Sequence, residues 1–185
     1  MFQTRTVSSP LGPLALWALD DHLVGLEFVR EKQRVSTLVA ALEREFHESG
    51  AREVPDPAGA ATRLEKYFAG DLTQLAAQPV RLKGTAFQLK AWEALRRIPC
   101  GQTRSYAEQA AAIGQPNAVR AIGTANGSNR IAIFVPCHRV IASRGGAGGY
   151  GGGLPAKRWL LRHEGALDVS AWNQAEFEMP ATAGR

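Results

Sequence analysis

The chain has 185 residues, 45% of them hydrophobic and 21% charged, with 22 Lys/Arg against 17 Asp/Glu for a formal charge of +5. That size holds one medium domain or two small ones, and the composition excludes a disordered or fibrous chain. Two cysteines, Cys100 and Cys137, are too few for a disulfide framework, and breaks at Pro10, Gly12 and Pro13 exclude a signal peptide or membrane span at the start, so the expected compartment is the cytosol.

In chain order, residues 2–7, 14–18 and 22–29 alternate or cluster apolar side chains, and Asp20-Asp21 offers a turn, which predicts a small antiparallel sheet. Val35, Leu38, Val39, Leu42 and Phe46 recur at helical spacing between Arg34 and Glu48. A second helix is predicted from about Ala60 to Phe68, with Glu53-Val54-Pro55-Asp56-Pro57 as the loop before it. No nucleophile pair or metal-ligand spacing occurs in this half, so its expected role is structural. The composition changes near Gln78-Pro79 and Lys83-Gly84, where a linker is placed.

The charge is unevenly distributed. Residues 81–165 carry 13 Lys/Arg against Glu93, Glu108 and Glu164, a balance of +10, while the rest of the chain sums to −5. A basic module joined to an acidic one points to a polyanion partner, nucleic acid first, with a solvated basic face as the plain alternative. The module opens on Thr85-Ala86-Phe87-Gln88, a capping box for a helix with Leu89, Trp92, Leu95 and Ile98 on its apolar side and Pro99-Cys100-Gly101 as its stop. Cys100 in that stop reads as a small buried hydrophobe. Ser105-Tyr106-Ala107-Glu108 is a second capping box, its helix ending at Gly114, and Gln115-Pro116-Asn117 leads to a third helix from Ala118 to about Asn126. Two short helices and a tight turn match a helix-turn-helix, a pattern shared by any small helical domain. On the third helix Ala118, Ala121 and Ala125 form a face of little bulk with Gly123 and Gly127 nearby, beside Arg120. Such a face suits approach to a minor groove about 6 Å wide. Tight helix packing with Arg120 in solvent accounts for it equally.

The run Ile131 to Val135 reads as a short buried strand closed by Pro136, which delivers Cys137 and His138 into non-strand backbone. The thiolate is the reactive form of a cysteine, and His138 and Arg139 are the neighbouring cations expected to lower the thiol pKa. Consecutive side chains on a strand face opposite ways, so Cys137 and His138 must meet through irregular backbone or through a water. Next comes a glycine-rich stretch, 145–153, in which Gly146, Gly148 and Gly151 satisfy a dinucleotide fingerprint, but too little chain follows for that fold. A loop flanking a pocket, with Tyr150 its one large side chain, explains it better. Pro155 and Gly165 bracket a last helix with Trp159 and Leu160 facing inward. Glu164 is one of three acids in the module and the carboxylate available to orient His138 as a base. His163, Cys100, Cys137, His138 and Glu164 are not spaced for zinc, and no metal is expected.

Taken together, the stretches Ile98-Pro99-Cys100-Gly101, Ser105-Tyr106, Ala118-Val119-Arg120-Ala121, Ala125-Asn126-Gly127-Ser128-Asn129, Pro136-Cys137-His138-Arg139-Val140 and Leu160-Leu161-Arg162-His163-Glu164-Gly165 closely resemble the O6-alkylguanine-DNA alkyltransferases, also called methylated-DNA–protein-cysteine methyltransferases. The resemblance implies a mixed α/β chain: a small ribonuclease-H-like α/β domain over 1–80, a mainly helical winged-helix or helix-turn-helix domain over 81–168, and a tail over 169–185. It implies that Cys137 accepts the alkyl group in one irreversible turnover, with His138 as water-mediated base, Glu164 orienting it and Asn129 bracing the turn. DNA contact is implied for Tyr106, Arg120, Ala121, Gly123 and Asn126, with Arg120 taking the place of a flipped nucleotide. Tyr106, Val140, Tyr150 and Gly151 are implied to line the base pocket. The implied partner is duplex DNA carrying O6-alkylguanine, with O4-alkylthymine as a second lesion; no cofactor and no membrane are implied, and the chain is expected to be a monomer in solution, with assembly on DNA left open. Arg130 stands where many members carry Pro, and Gly151 where some carry a hydroxyl, which leaves the size of the accepted alkyl group open. Two other readings fit the residues: a cysteine hydrolase built on Cys137, His138 and Glu164, and a DNA-binding protein without chemistry.

Overall fold

The computed structural model describes residues 1–30, 32–142 and 146–166, so the expected tail and Gly145 lie outside the described residues. The chain divides into two compact units, one of 1–83 with 130–134 and one of 84–129 with the residues from 135 on. The architecture is mixed α/β, with a sheet-based first unit and a mainly helical second one. None of the described helices is long and apolar enough to cross a membrane.

In the first unit, β1 (Phe2–Val7), β2 (Leu14–Leu19) and β3 (His22–Phe28) form the predicted antiparallel meander. Asp20 takes a φ of 53° in the turn between β2 and β3, a conformation Asp tolerates better than most residues. All six residues of β2 are buried, as expected of a strand flanked on both edges. Helix α1 (Lys32–Phe46) covers one face, with Leu38 and Leu42 packed against Phe2, Ala15, Trp17, Leu19 and Val24. Gly25 permits this closeness, because a Cβ there would stand 3.0 Å from Leu42 Cδ1. The helix stops before the predicted Glu48 because His47 turns left-handed, with φ 55°. A fourth strand, β4 (Ala51–Glu53), pairs parallel with β1 and was not expected, since its three residues are exposed and carry no apolar alternation. Helix α2 (Ala60–Phe68) begins and ends where predicted.

The second unit contains α3 (Ala86–Arg96), β5 (Arg104–Ser105), α4 (Tyr106–Ala112), α5 (Val119–Gly127), β6 (Val140–Ile141) and α6 (Leu154–His163). Both capping boxes form: Thr85 Oγ1 accepts from the Gln88 N–H at 3.2 Å, and Ser105 Oγ from the Glu108 N–H at 3.1 Å, each with the reciprocal bond. Such caps contribute about 1 kcal/mol apiece and set where α3 and α4 begin. Ala91, Ala110, Ile122 and Ala125 make the core between α3, α4 and α5. Across it Gln109 and Asn126 exchange amide hydrogen bonds of 3.0 and 2.8 Å, and the Trp92 indole donates to the Ala125 carbonyl at 2.8 Å. These buried bonds hold α5 in one register on its neighbours.

The predicted strand over 131–135 is absent. Ile131 makes a single parallel bridge to Leu26, after which the Phe134 N–H closes on the Ala132 carbonyl at 3.0 Å with Ile133 at φ 73°. That is a γ-turn in a conformation that costs a β-branched residue roughly 1–3 kcal/mol, tolerated here because Ile133 and Phe134 are buried. Alternating strand geometry could not have turned the chain so sharply. Pro136, at φ −83° and ψ 65°, forms an inverse γ-turn in which the Cys137 N–H bonds the Val135 carbonyl at 2.8 Å. As expected, Cys137 then sits outside any strand, at the head of a 3-10 turn over Cys137–Arg139.

Candidate active site

Cys137 is 9% exposed, and its Sγ accepts a hydrogen bond from Asn129 Nδ2 at 3.3 Å. The same Asn129 nitrogen donates to the Val135 carbonyl at 2.8 Å, so one amide fixes both the thiol and the turn that carries it. Burial pushes the thiol pKa up, while the Asn129 bond, the positive charge of Lys157 and the thiol's own backbone N–H work against it, and burial wins. The resting sulfur is therefore protonated and needs a base.

His138 is fully buried next to it, with Nε2 3.0 Å from Glu164 Oε1 and its ring edge-on to Tyr150, centroids 6.2 Å apart. Burial lowers the imidazole pKa and outweighs the charge and hydrogen bond of Glu164, which raise it. The ring is neutral at neutral pH, and an ionised Glu164 assigns its proton to Nε2. That leaves Nδ1 as the basic nitrogen, and no described residue bonds it. For Glu164 burial acts upward, but His138 and Arg139 together outweigh it and hold the carboxyl well below the usual carboxylate range.

The expected role of Arg139 as a cation acting on the thiol is not what the geometry gives. Its Nε and Nη2 each reach a Glu164 oxygen at 2.8 Å, Nη1 the Ile98 carbonyl at 2.5 Å and Nη2 the Cys100 sulfur at 2.8 Å. Cys100 is accordingly a half-buried hydrogen-bonding thiol, pushed up by burial to about 11, and not a hydrophobe deep in the core. The cation that acts on Cys137 is Lys157, on the first turn of α6, whose side chain is completely buried. Lys157 escaped sequence reasoning. The available signal was its spacing from Leu154 and Leu161, which places a cation in the apolar stripe of α6.

The remaining candidates divide. β5 and β6 pair in parallel, Arg104 with Val140 and Ser105 with Ile141, and this brings Tyr106 at the start of α4 toward the thiol turn. Gly148, at φ 64°, lies so close to Tyr106 that a Cβ there would meet its hydroxyl at 2.8 Å. Val140 is buried, Tyr150 half-buried, and Gly151 exposed in the loop. On α5, Arg120 and Ala121 are exposed, and nothing stands within 4 Å of where a Gly123 Cβ would be. Ala125 does not share that open face, since it is 2% exposed in the core. Asn126 is also turned inward, its amide engaged by Gln109, so it offers no side chain to DNA. Trp159 is half-buried and stacked on His163 at 4.7 Å, while Leu160 faces inward as expected. Among the described residues no group of three or more His, Cys, Asp or Glu side chains is arranged to hold a metal ion.

The buried charges make stability depend on pH with a definite sign. Below the ordinary His value of 6.5, the unfolded chain takes up a proton that buried His138 does not. Below the ordinary Glu value of 4.5, it takes up another that paired Glu164 refuses. Both contributions are complete above these values and are lost on acidification, so the urea midpoint should fall from neutral pH downward and more steeply below 4.5. In Glu164→Gln the steeper limb should shrink.

Residues 4–82 match the family model for the 6-O-methylguanine DNA methyltransferase, ribonuclease-like domain, and residues 86–166 that for the 6-O-methylguanine DNA methyltransferase, DNA binding domain. A methylated-DNA–protein-cysteine methyltransferase of Shigella flexneri is 42% identical over 163 residues, 87% of this chain and 94% of that one. One from Mycobacterium tuberculosis is 45% identical over 167 residues, 89% of this chain and 93% of the other. Among solved structures, Mycobacterium tuberculosis OGT in complex with DNA superposes with a TM-score of 0.75 at 43% identity, covering 88% of this chain and 92% of that one.

Proposed function

The chain belongs to the 6-O-methylguanine DNA methyltransferase family, and on that premise we infer that it repairs alkylated DNA by taking the alkyl group onto its own Cys137. The observation that carries this reading is a buried thiol bonded to Asn129, set beside a neutral imidazole whose outer nitrogen is held by Glu164. His138 Nδ1, through a water, removes the thiol proton. The sulfur attacks the alkyl carbon and displaces guanine from it, an S–C bond forming as the C–O6 bond breaks, and the departing guanine takes up a proton in place of the one lost by the thiol. The product is a thioether, which unlike a thioester offers water no carbonyl to attack. One Cys137 therefore repairs one lesion. With lesion duplex in excess, restored guanine should level off at one equivalent per protein; continued turnover would remove the reading.

The substrate is O6-alkylguanine in duplex DNA, with O4-alkylthymine as a second lesion. A base inside the stack cannot reach a buried thiol, so the nucleotide is extruded at a cost of a few kcal/mol. The exposed side of α5 serves this, with Arg120 filling the gap and Ala121 and Gly123 allowing the backbone to come close. Tyr106, Val140, Tyr150 and Gly151 receive the base, and the positive balance of residues 81–165 supplies affinity without sequence preference. The protein acts as a cytosolic monomer, its two domains running over 1–80 and 81–168. Arg120→Ala should slow repair of duplex on the order of 10- to 100-fold, while reaction with free O6-alkylguanine base changes little. Equal losses on both substrates would remove the role given to Arg120.

A further inference from the structure

Lys157 presents a problem that the alkyl-transfer reading leaves unsolved. Its side chain is 0% exposed, and Nζ donates to the Val140 carbonyl at 2.5 Å and the Gly149 carbonyl at 3.5 Å. Carbonyls carry no net charge, and no carboxylate pairs with Lys157 among the described residues. A buried ammonium without an anion is unfavourable by several kcal/mol, so such groups are normally paired or neutralised. Glu164, the nearby buried acid, is already spent on His138 and Arg139. In the cluster of Cys137, His138, Arg139, Lys157 and Glu164, a protonated thiol leaves two cations against one anion. A thiolate brings the cluster to zero.

We propose that Lys157 is a positioning residue whose buried ammonium, anchored on the carbonyls of Val140 and Gly149, is the counter-ion of the Cys137 thiolate. The inference rests on Cys137 being the alkyl acceptor. When His138 takes the thiol proton, the S–H bond breaks, its electron pair stays on sulfur, and the resulting anion lies within electrostatic reach of Lys157. The other groups around the thiol are Tyr106 from α4, a phenol whose own ionisation is disfavoured by burial, and uncharged Asn129; Arg139 is tied to Glu164. Burial draws the Lys157 pKa down to about 8, and the thiolate acts in the opposite direction, as a counter-ion must. The two groups titrate as a coupled pair, each charge favouring the other. Transfer ends this arrangement, because a thioether carries no charge and Lys157 is left without its anion. The same anchor ties β6 to the glycine loop, so one side chain braces two parts of the base pocket while it tunes the nucleophile.

The test is the pH profile of Cys137 alkylation, by iodoacetamide and by lesion duplex, in the wild-type protein and in Lys157→Met. The variant should react roughly tenfold or more slowly at neutral pH, for a thiol midpoint at least one unit more alkaline, with the two curves converging at high pH. Coincident midpoints, whatever the absolute rates, would overturn the proposal. If Lys157→Met does not fold, wild-type protein labelled at the lysine ζ-nitrogen gives the answer by NMR. Complete alkylation of Cys137 should lower the pH at which Lys157 loses its proton, and an unmoved Lys157 titration would overturn the proposal. Failure of wild-type protein to acquire any alkyl mass on Cys137 from lesion duplex would instead mean that the acceptor reading itself is wrong.

Discussion

Cys137→Ala is expected to abolish alkyl uptake while leaving binding to duplex DNA within twofold or so of wild type. The sulfur is the only atom at the site that can form the product bond, and the half-buried thiol of Cys100, raised to about 11 and bonded by Arg139, cannot replace it. In the proposed reading DNA is held by the exposed residues of α5 and the surrounding basic surface, and not by the buried Cys137. The fold should also survive, because Asn129 keeps its 2.8 Å bond to the Val135 carbonyl after its bond to sulfur is gone, and one such bond contributes about 1 kcal/mol. Transfer of labelled alkyl groups and fluorescence anisotropy on the same duplex would show the two properties separate. A variant that still removes the lesion would exclude Cys137 as acceptor, and one that also loses DNA binding would place the sulfur in the fold's support.

Arg139→Met should have the largest effect on stability. The guanidinium spans both oxygens of Glu164, the carbonyl of Ile98 at the end of α3 and the sulfur of Cys100, so it joins the stop of α3 to the end of α6 around the thiol turn. Methionine preserves much of the volume and removes all four hydrogen bonds, including both that the guanidinium makes to the buried Glu164. Breaking a buried ion pair from one side typically costs roughly 3–5 kcal/mol, which in a chain of this length lowers the melting temperature by about 10 °C. Loss of the opposing cation should also raise the Glu164 and His138 pKa values and move acid unfolding toward neutral pH. The double variant Arg139→Met/Glu164→Met should recover much of the stability, since no buried carboxylate is then stranded, yet repair slowly for want of an oriented His138. Equal stability of the single and double variants would show that the stranded carboxylate is not the source of the loss.

How far the sequence could be read depended on how local the determinants were. Thr85 with Gln88 and Ser105 with Glu108 fixed the starts of α3 and α4 to the residue, because a capping box is complete within four residues. Asp20-Asp21 marked its hairpin turn for the same reason. Ala51–Glu53 gave no sign of being a strand, since an exposed edge strand is formed by its partner β1 and not by its own pattern. The apolar run after Arg130 misled in the opposite sense: burial and β-branching are also satisfied by a γ-turn locked into a core, and nothing local distinguishes the two. At the site, Cys137, His138 and Glu164 were visible from residue type and from the resemblance. The partners that set their chemistry were less so. Arg139 turns toward Glu164, Asn126 toward Gln109 and Lys157 toward two carbonyls, and each choice is made by tertiary packing that adjacency along the chain does not report.

The most direct test of the central claim is the intact mass of the protein after incubation with a duplex holding one O6-methylguanine, followed by peptide mapping. The account predicts a single methyl group per chain, located on Cys137 and stable for hours, with an equal amount of guanine restored in the DNA. Repaired duplex accompanied by protein of unchanged mass, or a methyl group found on any other residue, would contradict it.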